Sequence, residues 1–312
     1  MKPVLWIVVP CYNEQKVLPI TSSMFLEQLK SLIKEKLIDD SSKILFVNDG
    51  SKDKTWELIK EYAKYNNCFC GVSLSRNRGH QNALLAGLME AKKYADITIS
   101  IDCDGQDDMS VMKEMVKKYN EGNEIVYGVR NNRDSDSFFK RKSAESFYKL
   151  MNNMGVQTVY NHADYRLLSK RVLNELENYK EVNLFLRGMI PLVGFESCSV
   201  YYSRQERLAG ESHYPLKKMM DLAIDGITSL SVKPLTLIFT FGAVVSLASL
   251  VALIVMICMK QTMYALLLMN SLLLGILIMS VGVVGQYVGK TYVEVKQRPR
   301  FIISERTYKD GE

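Results

Sequence analysis

The stretch Ile97-Thr98-Ile99-Ser100-Ile101-Asp102-Cys103-Asp104-Gly105-Gln106-Asp107 runs from a short apolar segment straight into a cluster of carboxylates. A β-branched run of this length, bounded by turn-forming residues, reads as a buried strand. Its acidic residues therefore emerge beyond the carboxyl end. Two carboxylates at i and i+2 in that position can hold a hard divalent cation directly or through water and leave positions for diphosphate oxygens. Mg²⁺ or Mn²⁺ suits such oxygen donors. A lone D-x-D is weak evidence, because Asp in turns usually serves only the turn. Its neighbours decide.

Outward from this stretch, apolar runs at 4–9, 44–47, 69–74 and 125–129 alternate with helical patterns at 17–37, 55–65, 81–93 and 111–119. The alternation predicts an α/β fold with a largely parallel sheet covered on both faces. Ligands of such sheets bind where loops leave the strands' carboxyl ends. The polar signals sit there: Pro10-Cys11-Tyr12-Asn13-Glu14, Asn48-Asp49-Gly50-Ser51-Lys52-Asp53, Arg76-Asn77-Arg78-Gly79 and the carboxylate cluster. Asp49, ionised, can accept hydrogen bonds from the N–H of a base. The same segment is also a strong turn signal, and Glu14 is equally suited to opening the next helix.

The rest of the 312 residues differs in kind. Segments 234–259 and 261–289 contain no Asp, Glu, Lys or Arg, and Lys260 alone separates them. Each exceeds the roughly 20 residues that cross a bilayer core as a helix. Lys290, Lys296, Arg298 and Arg300 outweigh Lys260, which places both chain ends in the cytoplasm. Gly275, Gly282, Gly285 and Gly289 predict close helix packing and leave a homo-oligomer open. Before the first span, Leu216, Met219, Met220, Ala223, Ile224, Ile227 and Leu230 recur at helical spacing, with Lys217, Lys218, Asp221 and Asp225 on other faces. This is an amphipathic helix, suited to a core or to a membrane surface. No cleavable leader precedes the globular part, since 4–9 is only strand-length and runs into Pro10. The six cysteines show no C-x-x-C pair, which fits reduced thiols. A net charge of +6 without a basic tract gives no sign of nucleic-acid binding and fits anionic lipid or a phosphate-bearing substrate.

Taken in order, Pro10–Glu14, Val47–Asp53, Ser75–Ala83 and Asp102–Asp107 resemble the motifs of family 2 glycosyltransferases. Ala163-Asp164-Tyr165-Arg166-Leu167-Leu168, the segment from Arg204 to Tyr214 and the paired apolar segments bring the similarity closest to the polyprenyl-phosphate branch, which includes bactoprenol glucosyltransferases and dolichol-phosphate mannose synthases. The resemblance covers roughly residues 3 to 300. It implies a nucleotide-diphospho-sugar transferase fold of GT-A type. Residues 1–213 would form the cytoplasmic catalytic domain, 214–233 a juxtamembrane helix, 234–289 a transmembrane hairpin and 290–312 a basic tail.

By motif position, Pro10, Tyr12, Glu14 and Asp49 would surround the base and ribose, and Asp102, Asp104 and Gln106 would hold the metal. Arg207 would meet the donor diphosphate or the acceptor phosphate. Arg130, Lys140, Arg141, Ser212 and His213 fall where relatives bind the lipid phosphate. The chain departs from them in carrying His213 where Lys usually follows Ser, and Gly105 and Asp108-Met109 around Gln106 and Asp107. Asp164 could orient a sugar hydroxyl, assist catalysis or pair with Arg166.

The resemblance implies inverting transfer of one sugar, from UDP-glucose or UDP-N-acetylglucosamine, to undecaprenyl phosphate. A phosphate monoester acceptor, with a second pKa near ~6, is already ionised at neutral pH. It needs no general base, unlike a sugar hydroxyl. The alternatives are a GDP-mannose-dependent enzyme of the same branch and an inactive membrane scaffold. A processive synthase fits less well, since two spans are too few for a channel and no Gln-x-x-Arg-Trp motif is present.

Overall fold

The computed structural model describes residues 2–131, 162–205, 227–228, 231–259 and 263–309. Its strands are β1 (Leu5–Cys11), β2 (Lys43–Asn48), β3 (Phe69–Leu74), β4 (Ile97–Ser100), β5 (Ile125–Arg130), β6 (His162–Ser169), β7 (Ser197–Tyr202) and β8 (Ile303–Arg306). They form one eight-stranded sheet in the order β7-β5-β6-β4-β1-β2-β3-β8. Every neighbouring pair is parallel except those made by β6 and β8. The sheet is thus largely parallel, as the alternation predicts.

Helices cover both faces: α1 (Leu18–Lys34), α2 (Thr55–Tyr65) and α4 (Met112–Asn120) on one, α3 (His80–Ala91), α5 (Lys170–Glu177) and α6 (Leu186–Leu192) on the other. Strand β1 shows why its run is continuously apolar. Ile7 and Val9 join Phe25 and Phe46 in one core, while Trp6 and Val8 join Leu45 and Leu84 in the other. A strand buried on both faces has no polar side to alternate. Helix α3 lies so close that a Cβ on Gly87 would stand 2.4 Å from Val8 Cγ1 and 2.6 Å from Val47 Cγ2.

Strand β6 decides the site. It enters from late in the chain, antiparallel between β4 and β5, with Ser100 opposite Arg166. Continuing that register by two residues brings Asp164 level with Asp102, and Ser100 Oγ donates to the Asp164 carbonyl at 2.5 Å.

Beyond the sheet, α7 (Lys233–Met259) and α8 (Met263–Val295) contain apolar windows at 233–252 and 272–295 with mean hydropathies of 2.2 and 2.0. None of either window is buried. Among the described residues the glycines expected to pack closely have no such neighbour, because a Cβ on Gly275, Gly282, Gly285 or Gly289 would meet nothing within 4 Å.

The segment expected as a basic tail, 290–312, contributes to both the last helix and the sheet. Helix α8 continues to Val295, and the chain then returns to the sheet as β8, antiparallel to β3. Arg306 forks onto Glu90 at 2.7 and 3.2 Å, Tyr308 donates to the same carboxylate at 3.1 Å, and Trp56 Nε1 donates to Glu305 at 3.0 Å. Most of the amphipathic segment 214–233 lies outside the described residues; within it, Ile227 is buried.

Candidate active site

The loops after β1 and β2 are stapled together by backbone groups that the strands leave unpaired. Asn13, in the left-handed region at φ 56°, donates its N–H to Ser51 Oγ at 3.0 Å and accepts from the Lys52 N–H at 2.9 Å. The Glu14 N–H donates to Thr55 Oγ1 at 2.9 Å, and the Glu14 carbonyl accepts from Val17 and Leu18. Its backbone therefore opens α1. Pro10 is buried in β1 beside Val47, while Tyr12 is 42% exposed at the mouth.

Asp49 straps a third loop to these two. Its Oδ1 and Oδ2 accept the N–H groups of Arg78 and Gly79 at 2.7 and 2.9 Å. Burial raises its pKa in spite of these donors. Gly50 makes the approach possible, for at φ 64° a Cβ there would lie 2.5 Å from the Arg76 carbonyl carbon and the Asn77 nitrogen. A carboxylate offers about four lone-pair sites, so two remain for a ligand. In the strapped loop Arg78 Nε and Asn82 Oδ1 are buried with no hydrogen-bond partner among the described residues. Buried polar atoms left in that state are costly, which marks a place for water or ligand.

At the β4–β6 junction, acidic residues crowd together. Asp164 forms an ion pair with Arg166 and receives both arms of Arg187, at 3.2 and 3.0 Å. His80 Nε2 stands 3.3 Å from Asp164 and 3.5 Å from Asp102. Burial opposes ionisation of Asp164, but Arg187, His80 and Arg166 outweigh it and hold the group well below the usual range. Asp164 is an anion with its charge answered. Of its three open roles, the pair with Arg166 is present.

His80 gains from the same contacts. Although burial works against the cation, Asp164 and Asp102 push its pKa up to about 9. The side chain is 44% exposed, so solvent screens part of that attraction. Asp102 is differently placed: burial raises its pKa first, His80 counteracts, and Asp107, Asp164 and Asp104 add repulsion.

Asp107 accepts from the Tyr202 hydroxyl at 2.6 Å and from Arg130 Nη2 at 3.1 Å, and Arg130 Nε donates to Tyr202 at 3.2 Å. Arg130, read as a phosphate ligand, spends part of its fork inside the protein. Gln106, read as a metal ligand, accepts a hydrogen bond from Arg204 at its side-chain oxygen and one from the Gln205 N–H at its carbonyl. Both its oxygens are turned to the segment leading to Arg207. Arg207, Ser212, His213, Lys140 and Arg141 lie outside the described residues.

Asp102 and Asp104 fit a hard divalent cation. Both are oxygen donors at one strand end, Asp104 is 8% exposed, and the repulsion on Asp102 is what a cation would relieve. Among the described residues no three His, Cys, Asp or Glu side chains form a ready metal cage.

Two features escaped the sequence. His80 lay inside a quoted motif without a role, and Arg187 stands alone in a short apolar helix that carries no signal.

The carboxyl edge of the sheet thus gathers three strapped loops and two oxygen donors beside an arginine-held aspartate, where ligands of such sheets bind. The Glycosyl transferase family 2 model matches residues 6–177. The chain belongs to that family, is a glycosyltransferase and has the GT-A-type fold. It is 49% identical to the uncharacterized glycosyltransferase YkoT of Bacillus subtilis (strain 168), over 99% of this chain and 94% of that protein. It is 36% identical to the prophage bactoprenol glucosyl transferase homolog of Escherichia coli (strain K12), over 95% and 97% of the two chains. Among solved structures, glucosyl-3-phosphoglycerate synthase from Mycobacterium tuberculosis, in complex with Mn²⁺, UDP and phosphoglyceric acid, aligns with a TM-score of 0.45 at 17% identity, covering 73% of this chain and 77% of that one.

Proposed function

We propose that the protein transfers a single sugar, with inversion, from a nucleotide sugar to polyprenyl phosphate at the cytoplasmic face of the membrane. The observation that carries this reading is the pairing of a strand-end carboxylate site with two long helices whose apolar windows are wholly unburied. Phe239 and Val281 are 76% and 62% exposed, and apolar surface on this scale supports a place in lipid. Relatives named for bactoprenol glucosyl transfer, matching nearly end to end, support the acceptor. The pairing of β8 with β3 supports a hairpin, since it needs the chain on both sides of the helices to lie in one compartment.

Asp102 and Asp104 would hold Mg²⁺ or Mn²⁺, which when bound offsets charge on the departing nucleoside diphosphate. The chain's own residues do the rest. Asp49 and the loops it straps, with Pro10, Tyr12 and Glu14, hold the base and ribose. Asp164, ionised and gripped by two arginines, orients the sugar and abstracts no proton. The acceptor phosphate arrives ionised, drawn by Arg130 and by the basic residues at 140–141 and 207–213. Alignment of that oxygen with the anomeric carbon contributes roughly 7 to 11 kcal/mol in favourable cases. UDP-glucose or UDP-N-acetylglucosamine is the proposed donor.

The test supplies purified full-length protein with undecaprenyl phosphate and a panel of radiolabelled nucleotide sugars. One label is expected to enter the organic phase, to be blocked by EDTA and to return with Mg²⁺ or Mn²⁺. Nucleotide-sugar binding without any lipid product would sink the acceptor assignment, and no binding at all would favour a scaffold.

A further inference from the structure

At the last turn of α8 the Glu294 carboxylate reaches back to the sheet domain. It accepts hydrogen bonds from the Val182 and Asn183 N–H groups, each at 2.7 Å, and from Asn183 Nδ2 at 2.8 Å. Arg300, just beyond the helix, donates to the Tyr179 carbonyl at 2.9 Å. An acidic residue at a helix C-terminus is disfavoured by the helix dipole, so Glu294 does not serve its own helix. Segment 179–185 belongs to no helix or strand, and its backbone N–H groups need acceptors from elsewhere. A carboxylate supplies the stronger, charge-assisted kind.

The gripped segment leads directly into α6. The Leu186 N–H donates to Gln81 Oε1 at 2.9 Å, and the next residue is Arg187, whose fork closes on Asp164. Gln81 follows His80, which touches the same aspartate. The second apolar helix is therefore joined to the reaction centre through four successive contacts: Glu294 to 182–183, 186 to Gln81, Arg187 to Asp164, and Asp164 to His80.

We propose that Glu294 is a positioning residue for sugar transfer: by ordering 182–183 it sets α6, and with it the Arg187 fork on Asp164. The inference rests on the transferase reading above and adds that the membrane hairpin holds the catalytic geometry as well as anchoring it. Small misplacements of reacting groups are costly, so Glu294→Ala is expected to lower kcat on the order of 10-fold while leaving the KM for the nucleotide sugar unchanged. Glu294→Gln should recover part of the loss, since its remaining carbonyl oxygen still serves Asn183.

A double-mutant cycle separates positioning from general damage. If Glu294 acts through Arg187, the pair Glu294→Ala with Arg187→Ala should be no worse than Arg187→Ala alone. In the same full-length samples, amide hydrogen exchange at 182–187 should accelerate in Glu294→Ala. Wild-type kcat in Glu294→Ala, losses that multiply in the double variant, or unchanged exchange at 182–187 would each overturn the proposal. Should Glu294→Ala fail to fold, Asn183→Ala removes only the 2.8 Å bond and is expected to give a smaller loss of kcat with the same non-additivity. A wild-type protein that moves no sugar to lipid phosphate would defeat the function reading; exchange at 182–187 would still decide this one.

Discussion

Helix α3 carries a buried acidic centre at each end, and the two are opposites. Near its C-terminus Glu90, 3% exposed, is met by Arg306, Lys93 and Tyr308. Burial alone would raise its pKa, but Arg306 and Lys93 hold it below the ordinary 4.5. At the N-terminal end His80 faces Asp102 and Asp164; burial raises the pKa of Asp102, His80 counteracts, and the other acids add to the rise. The first centre is saturated by its own protein. The second leaves Asp102 disfavoured as an anion by burial and by neighbouring acids, with His80 only partly offsetting them, a perturbation of the kind that gathers at functional sites.

The sharpest break of this contrast is at Asp102 and Asp104, the proposed metal-binding carboxylates. Asp104→Ala is expected to reduce lipid-linked product by about 10²- to 10³-fold, the scale on which one electrostatic stabiliser is missed in a transfer reaction. Asp102→Asn should lose activity similarly, while its thermal midpoint without added metal holds or rises, because a charge disfavoured by burial and by neighbouring acids has gone. A fall in that midpoint would contradict the unfavourable placement of the Asp102 charge.

At the other end, Arg306→Ala should destabilise the sheet domain by roughly 2 kcal/mol, the cost of losing hydrogen bonds to a charged group. Its specific activity per folded molecule should stay near wild type, as read by denaturant melts beside the transfer assay. Gly87→Ala, between the two ends, is expected to cost about 1 to 3 kcal/mol through overpacking against Val8 and Val47.

The smallest effect is in pH. Glu90 has a folded-state pKa below its unfolded one, so its contribution is present above about pH 4.5 and is lost as pH falls through the folded value. The stability gap between wild type and Glu90→Gln should therefore be constant near neutrality and close on acidification. A gap that widened below pH 4.5 would reverse the assignment.

Much of the fold was legible because its signals are local. Strand 69–74 and helix 55–65 fall where the apolar pattern puts them, since strands buried on both faces and amphipathic helices each write their period into the chain. Asp102, Asp104 and Asp49 were legible for the same reason, each following its own strand. What escaped was long-range. The insertion of β6 beside β4 pairs segments more than sixty residues apart, and the return of β8 to β3 spans both long apolar helices. The commitments of Gln106 to Arg204 and of Arg130 to Asp107 were equally invisible, because hydrogen-bond partners are not encoded in spacing.

The sequence by itself determined the alternating sheet, the strand-end carboxylates and two helices of membrane length, because hydrophobic period and turn chemistry act over a few residues. Only the tertiary structure decided that Asp164 lies level with Asp102, that His80 bridges them, and that the chain beyond the second apolar helix closes the sheet and grips the segment before Arg187. Those are matters of register and packing between distant segments, where a shift of one residue would turn each side chain to the opposite face.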